Sequence, residues 1–105
     1  MELTIQSVQT GATKTLKLNG ILDISTNSII EPYLEELDNI ERLILDFGEL
    51  EFIDSTGIGS IMNAIYLSRE KNFKLAFQGV DDMTHQVFET VGLYHILEAF
   101  QKEDI

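Results

Sequence analysis

Apolar and polar residues alternate from the start of the chain. Leu3, Ile5 and Val8 predict a half-buried strand, and Leu16 and Leu18 resume the alternation through Thr15, Lys17 and Asn19 as far as Gly20. Thr10-Gly11-Ala12 is a tight turn between them, so the two runs predict an antiparallel hairpin. Ile21-Leu22-Asp23-Ile24 reads as a loop with apolar anchors. The period then lengthens. Ile29, Ile30, Tyr33, Leu34 and Leu37 fall at helical spacing, with Ser25, Thr26 or Asn27 as the cap and Asp38-Asn39 as the end. Pro32 is awkward there: either the helix kinks, or its regular part begins with Pro32 in the first turn.

Leu43-Ile44-Leu45, extended by Phe47, is a short unbroken apolar run, the mark of a central strand covered on both faces. Gly48-Glu49-Leu50-Glu51 predicts a turn, with Phe52 and Ile53 tucked against the core. A second helix follows Ser55. Its apolar face holds Ile58, Ile61, Met62, Ile65 and Tyr66, while Gly59, Ser60 and Ala64 permit close packing. Phe73 to Phe77 predicts another strand, broken by Gly79. Asp81 or Asp82 caps a third helix carrying Met83, Val87, Phe88 and Val91, which Gly92 stops. Ile96 and Leu97 are expected to add a short edge strand. The tail Gln101-Lys102-Glu103-Asp104 is expected to fray.

Strands alternating with helices after a hairpin imply the α/β class: one domain over residues 1–105, with a mixed four- or five-stranded sheet and helices packed against it. The expected core includes Leu16, Leu18, Leu43, Ile44, Leu45, Ile61, Ile65, Leu75, Phe77 and Phe88. Parallel crossovers would bring the loops after Gly20, Phe47 and Phe77 to one edge of the sheet, the edge that favours binding sites.

Composition narrows the function. The chain has 105 residues, 44% of them hydrophobic, enough for one core. It has no cysteine, hence neither disulfides nor thiolate chemistry. Met1-Glu2-Leu3-Thr4 lacks the pattern of a signal peptide, and no apolar run reaches the roughly 18 residues that span a bilayer. A cytoplasmic protein is expected. Eighteen acidic residues against seven basic ones, a formal charge of −11, repel nucleic acid and anionic membranes and favour a protein with a basic patch.

Asp54-Ser55-Thr56-Gly57-Ile58-Gly59 is the most local chemical feature. It sets two hydroxyls where a strand hands over to a helix. Ser55 or Thr56 can cap that helix, and Gly57 and Gly59 keep its first turn bare. A serine nucleophile needs a base within reach, and nothing local ties His85 or His95 to Ser55. Gly57-x-Gly59 is too short for a nucleotide loop and has no lysine. Two isolated histidines make no transition-metal site, and Asp23, Asp46, Glu51 and Asp54 match no calcium loop. No enzyme, no cofactor and no metal are expected. Ser55 and Thr56 remain either as a plain helix start or as acceptors of chemistry done by another protein. A phosphate there would be held by free N–H groups at the helix start and would add charge beside Asp54 and Asp23.

Residues Asp46 to Gly59, centred on Asp54-Ser55-Thr56-Gly57, resemble the signature of anti-sigma factor antagonists, the bacterial STAS-domain proteins. Leu18-Asn19-Gly20-Ile21-Leu22-Asp23 resembles the family's Gly-x-Leu-Asp stretch. Leu43-Ile44-Leu45-Asp46-Phe47 resembles its central strand, and Phe88-Glu89-Thr90-Val91-Gly92-Leu93 the end of its third helix. The resemblance implies a partner switch. The unphosphorylated protein binds an anti-sigma factor that is also a serine kinase, and the sigma factor is released. Phosphorylation on Ser55, with Thr56 as a secondary acceptor, abolishes binding, and a PP2C-type phosphatase restores it. Asp23, Ser25, Thr26, Asp54, Ser55, Thr56 and Gly57 are the expected partner-binding residues, and the protein alone is expected to be a monomer. The alternatives are a phosphorylation-gated module with a non-sigma target (a response regulator, an exopolysaccharide or a secretion pathway) and a small-ligand scaffold. Two departures stand out: Ile21 where many relatives have glutamate, and Pro32. The chain also stops soon after the fifth-strand position, so the family's last helix is expected to be missing.

Overall fold

A computed structural model describes residues 2–101. Strands β1 (Leu3–Thr10) and β2 (Thr13–Leu22) form the expected hairpin. Helix α1 (Asn27–Glu35), strand β3 (Arg42–Ile53), helix α2 (Ser55–Glu70), strand β4 (Lys74–Gln78) and helices α3 (Asp82–Thr90) and α4 (Leu93–Gln101) follow. The sheet order is β1-β2-β3-β4, with β1 antiparallel to β2 and the other two pairs parallel. The described residues form four strands, so the mixed α/β sheet takes the smaller of the two expected sizes.

The two parallel connections, through α1 and through α2, step the same way across the sheet. Right-handed crossovers therefore place both helices on one face. Burial along β3 follows: Leu43, Leu45 and Phe47 are buried under the helices, whereas Ile44 and Asp46 on the opposite face are only half-buried. This corrects two expectations. β3 is covered on one face rather than two, and Ile44 lies on the open face, outside the core. Leu16, Leu18, Leu43, Leu45, Ile61, Ile65, Leu75 and Phe88 form the core as expected. Phe77 is half-buried on the edge strand, with its ring edge-on to Phe47 at 5.4 Å between centroids.

Further outcomes are local. Gly48 to Glu51 is strand, not turn. β2 stays paired beside it, and register shifts at Lys17/Asn19 and Gly20/Ile21 absorb the extra residues. Asp46 Oδ1 accepts the Gly48 N–H (2.9 Å) at the first irregularity, standing in for a ladder bond. Pro32 lies inside α1, which begins at Asn27, so the helix does not start at the proline. Its missing N–H orphans the Ser28 carbonyl on an exposed side, where water can serve it. Tyr66, Met83 and Val91, assigned to apolar helix faces, are exposed. Ile96 and Leu97 belong to α4 rather than to a strand. With Leu93 and Phe100 they make a helical stripe that packs on the core beside α2 and β4, so the last helix is not missing. Of the expected frayed tail, Gln101 ends α4 and its Oε1 accepts the Leu75 N–H (3.2 Å); the rest lies outside the described residues.

Candidate partner-binding edge

β4 ends at Gln78, opposite Asp46, while β2 and β3 run on together to Leu22 and Ile53. The expected meeting of three loops is therefore a meeting of two. The loop after β4 sits lower, where Gly79 crosses the backbone of Gly48. The segments after Leu22 and Ile53 share the far edge, and they carry every site residue expected from the sequence.

Three links join them. The Asp54 N–H donates to the Leu22 carbonyl (3.3 Å). Asp54 Oδ2 accepts the Ile24 N–H (3.3 Å). Gly57 is buried, and a Cβ there would lie 2.4 Å from the Leu22 carbonyl oxygen and 2.7 Å from Ile53 Cγ1. Glycine at 57 is thus demanded by the close approach of α2 to the end of β2, not by an outside visitor. Gly59 faces open space.

The cap differs from expectation. Asp54, in extended conformation, is the N-cap, and its Oδ1 accepts the Gly57 N–H at 2.9 Å. Ser55 and Thr56 are the first two helical residues and are spared the capping task. Ser55 is exposed, Thr56 half-buried, and neither hydroxyl has a hydrogen-bond partner among the described residues. Their backbone N–H groups belong to the first turn, which has no intrahelical acceptors. Ser55 Oγ therefore sits free, on the donor-rich end of a 16-residue helix.

The facing loop is built around two side chains. Thr26 is buried; its Oγ1 donates to the Ile21 carbonyl (2.8 Å) and accepts the Asp23 N–H (2.9 Å). Thr26 is the N-cap of α1 by position but makes no side-chain cap. Its side chain shapes the loop and is not presented to a partner. Asp23 Oδ1 accepts both the Ser25 N–H (2.9 Å) and the Ser25 hydroxyl (2.6 Å). The Ser25 hydroxyl, above all, holds the Asp23 carboxyl below the usual carboxylate range, against the opposing pull of desolvation. Asp23 and Ser25 are thus a preordered, charged turn tied to Asp54 through the Ile24 N–H.

Sequence reasoning missed one feature of this edge. Phe52 is exposed instead of tucked against the core, while Ile53 next to it does pack there. The signal was available in the strand period: if Ile53 faces the core, Phe52 cannot. Between α1 and α2, beside Thr56, lies a polar cleft of about 220 Å³ lined by Asn27, Glu31, Ser60 and Asn63. Among the described residues no three His, Cys, Asp or Glu side chains group as metal ligands, and no helix is long and apolar enough to cross a membrane. His85 instead ties α3 to α4, with Nδ1 2.9 Å from the Tyr94 hydroxyl.

The STAS domain family model matches residues 4–104. The anti-sigma-B factor antagonist of Listeria monocytogenes is 31% identical over 81 residues, which cover 75% of this chain and 71% of that protein. The chain belongs to the STAS-domain family of anti-sigma factor antagonists. The anti-sigma F factor antagonist of Paenibacillus polymyxa is 26% identical over 106 residues, 98% of this chain and 91% of that one. A crystal structure of a sulfate transporter family protein from Wolinella succinogenes shares the fold with a TM-score of 0.76 at 18% identity, covering 86% of this chain and 75% of that chain. Members of the family are regulatory rather than catalytic.

Proposed function

We propose that this STAS domain is a phosphorylation-gated anti-sigma factor antagonist. Unphosphorylated, it binds an anti-sigma factor that is also a serine kinase and so frees the sigma factor. Phosphorylated on Ser55, it no longer binds, and a PP2C-type phosphatase returns it to the binding form. Thr56 is a secondary acceptor, less reachable because it is half-buried. The observation that carries the reading is the free Ser55 hydroxyl at the start of α2, in a chain whose relatives are anti-sigma factor antagonists.

The physics of the gate follows from the edge. A phosphate on Ser55 adds nearly two negative charges. The first-turn N–H groups of α2 can hold it without disturbing the domain. It also joins Asp54 and Asp23 on a surface that is already acidic. A partner matched to the unphosphorylated edge then meets excess charge that it would have to bury. In this reading Asp23 and Ser25 contribute a contact turn, and Asp54 and Gly57 contribute by positioning Ser55. The second reading keeps the same gate and gives it a non-sigma target, such as a response regulator or an exopolysaccharide or secretion pathway.

Titration of the purified protein against the purified anti-sigma factors of the source bacterium tests this. Wild type and Ser55→Ala should bind one of them, and Ser55→Asp should bind at least about tenfold more weakly, a loss of roughly 1.4 kcal/mol. Equal affinity of Ser55→Asp and wild type would reject the gate. Binding of wild type to none of the anti-sigma factors would favour the non-sigma target.

A further inference from the structure

Phe52 stands on β3 two residues before the Asp54 cap, and 56% of it is exposed. Its direction follows from the strand period. Ile53 packs against the core, so Phe52 turns to the face that carries no helix. Among the described residues, Phe47, Phe77, Phe88 and Phe100 each meet another aromatic ring and Phe73 is buried, whereas Phe52 is exposed with no ring against it. Its ladder partner is Ile21, which is half-buried. Around the same edge Ile24 is 75% exposed, pinned by its N–H to Asp54.

A single exposed apolar residue needs no explanation. Here two large exposed apolar side chains, with a third beside one of them on the neighbouring strand, lie near where the two site loops meet. Asp23, Glu51 and Asp54 stand around them. An aromatic anchor, apolar neighbours and a charged rim make up the usual anatomy of a protein-binding hot spot. The rim has one sign, in a chain that carries 18 acidic residues against 7 basic ones. Its complement is an apolar socket bordered by Lys or Arg.

We infer that Phe52, backed by Ile21 and flanked by Ile24, is the apolar anchor by which the unphosphorylated protein docks into a Lys- or Arg-rimmed socket on its anti-sigma factor, an assignment that rests on the partner-switching reading above. Ile21 then has a role. A glutamate in its place would put a charge beside the anchor, so the apolar pair selects a partner with a matching apolar socket. The gate acts on the same contact, because a phosphate on Ser55 brings a dianion to the border of an apolar interface that must be dehydrated to form.

Calorimetric titration of four proteins against the purified anti-sigma factor separates the inference from its foundation. Phe52→Ala should weaken binding about thirtyfold, the loss typical of a hot-spot aromatic, with an unchanged thermal midpoint because the ring is exposed. Ile24→Ser should weaken it several-fold. Wild type and Ser55→Asp are the references. If Ser55→Asp fails to bind but Phe52→Ala binds like wild type, the anchor is wrong and the gate stands. If wild type and Ser55→Asp bind alike the gate is wrong, and if wild type binds no anti-sigma factor the target is wrong; in either case the inference falls with the reading it rests on. Should Phe52→Ala lower the thermal midpoint, Ile24→Ser decides in its place, and wild-type affinity in that variant overturns the anchor.

Discussion

Helices α2 and α3 begin with the same device. Asp54 and Asp81 both have extended backbones (φ −108°, ψ −173° and φ −78°, ψ 171°), and each accepts the N–H three residues on, at 2.9 and 2.8 Å. Only one of these starts is a candidate site. Asp54 gives its second oxygen to Ile24 and its N–H to Leu22, and Gly57 presses α2 onto the end of β2. Asp81 caps its own helix, and Asp82 and Met83 behind it are exposed. The cap is local chemistry that any Asp can supply. The site is a tertiary object, made where two strand ends meet and hydroxyls follow a cap that does not need them.

The glycine that separates the two starts gives the largest expected effect. Gly57→Ala would drive a Cβ to 2.4 Å from the Leu22 carbonyl, a backbone atom that cannot swing aside. The expected cost is about 3 kcal/mol, read from the urea midpoint. Gly59→Ala, with nothing within 4 Å of its Cβ, should instead stabilise by about 0.5–1 kcal/mol. Equal responses would mean that α2 is not pressed onto β2.

Removing the two caps sharpens the comparison at smaller scale. Asp81→Ala should cost about 1 kcal/mol, the ordinary loss of an N-cap. Asp54→Ala should cost about 0.5 kcal/mol more, because it also removes the carboxylate bond that ties the exposed Ile24 N–H to the start of α2. Hydrogen exchange at Ile24 should quicken only in the Asp54 variant. Indistinguishable stabilities and exchange would reduce α2 to a second α3.

The smallest effect is acid sensitivity. The Thr84 backbone N–H, first of all, holds the Asp81 carboxyl below its ordinary range, and the Ser25 hydroxyl does so for Asp23. A depressed carboxyl in the folded state stabilises the fold above its unfolded value of about 3.9 and loses that contribution as pH falls through it towards the lower folded value. Urea midpoints at pH 6 and pH 3 should therefore fall less for Asp81→Asn and Asp23→Asn than for wild type, since asparagine keeps the hydrogen bonds without titrating. Both groups are exposed, so the differences should be slight. Parallel pH curves would contradict the depressed values.

Much of this contrast was legible in the residues. Alternation revealed the hairpin, helical spacing placed α1 to α3, and Asp81 was one of the two caps foreseen for α3. The misreadings share a cause: local signals that a neighbour overrules. Gly48 resembles a turn, but β2 keeps pairing beside it and Asp46 satisfies its N–H. Ile96 and Leu97 are too short a pair to separate strand from helix until Leu93 and Phe100 are seen to share their stripe. Ile44 sits in an unbroken apolar run that does not reveal that the helices cover one face only. Ser55 and Thr56 are good capping residues, yet Asp54 precedes them and takes the task. The Leu22–Gly57 approach leaves no local trace beyond a glycine.

In the proposed switch, Ser55 is where the difference between the two helix starts becomes function. The purified protein, incubated with ATP and the anti-sigma factor kinase that the proposal assigns to it, should gain one phosphate. Fragment mass spectrometry should place it on Ser55, and the modified protein should no longer be retained by the kinase. Phosphate mapped elsewhere with Ser55 untouched, or a Ser55-phosphorylated protein that still binds as tightly as before, would contradict the gate.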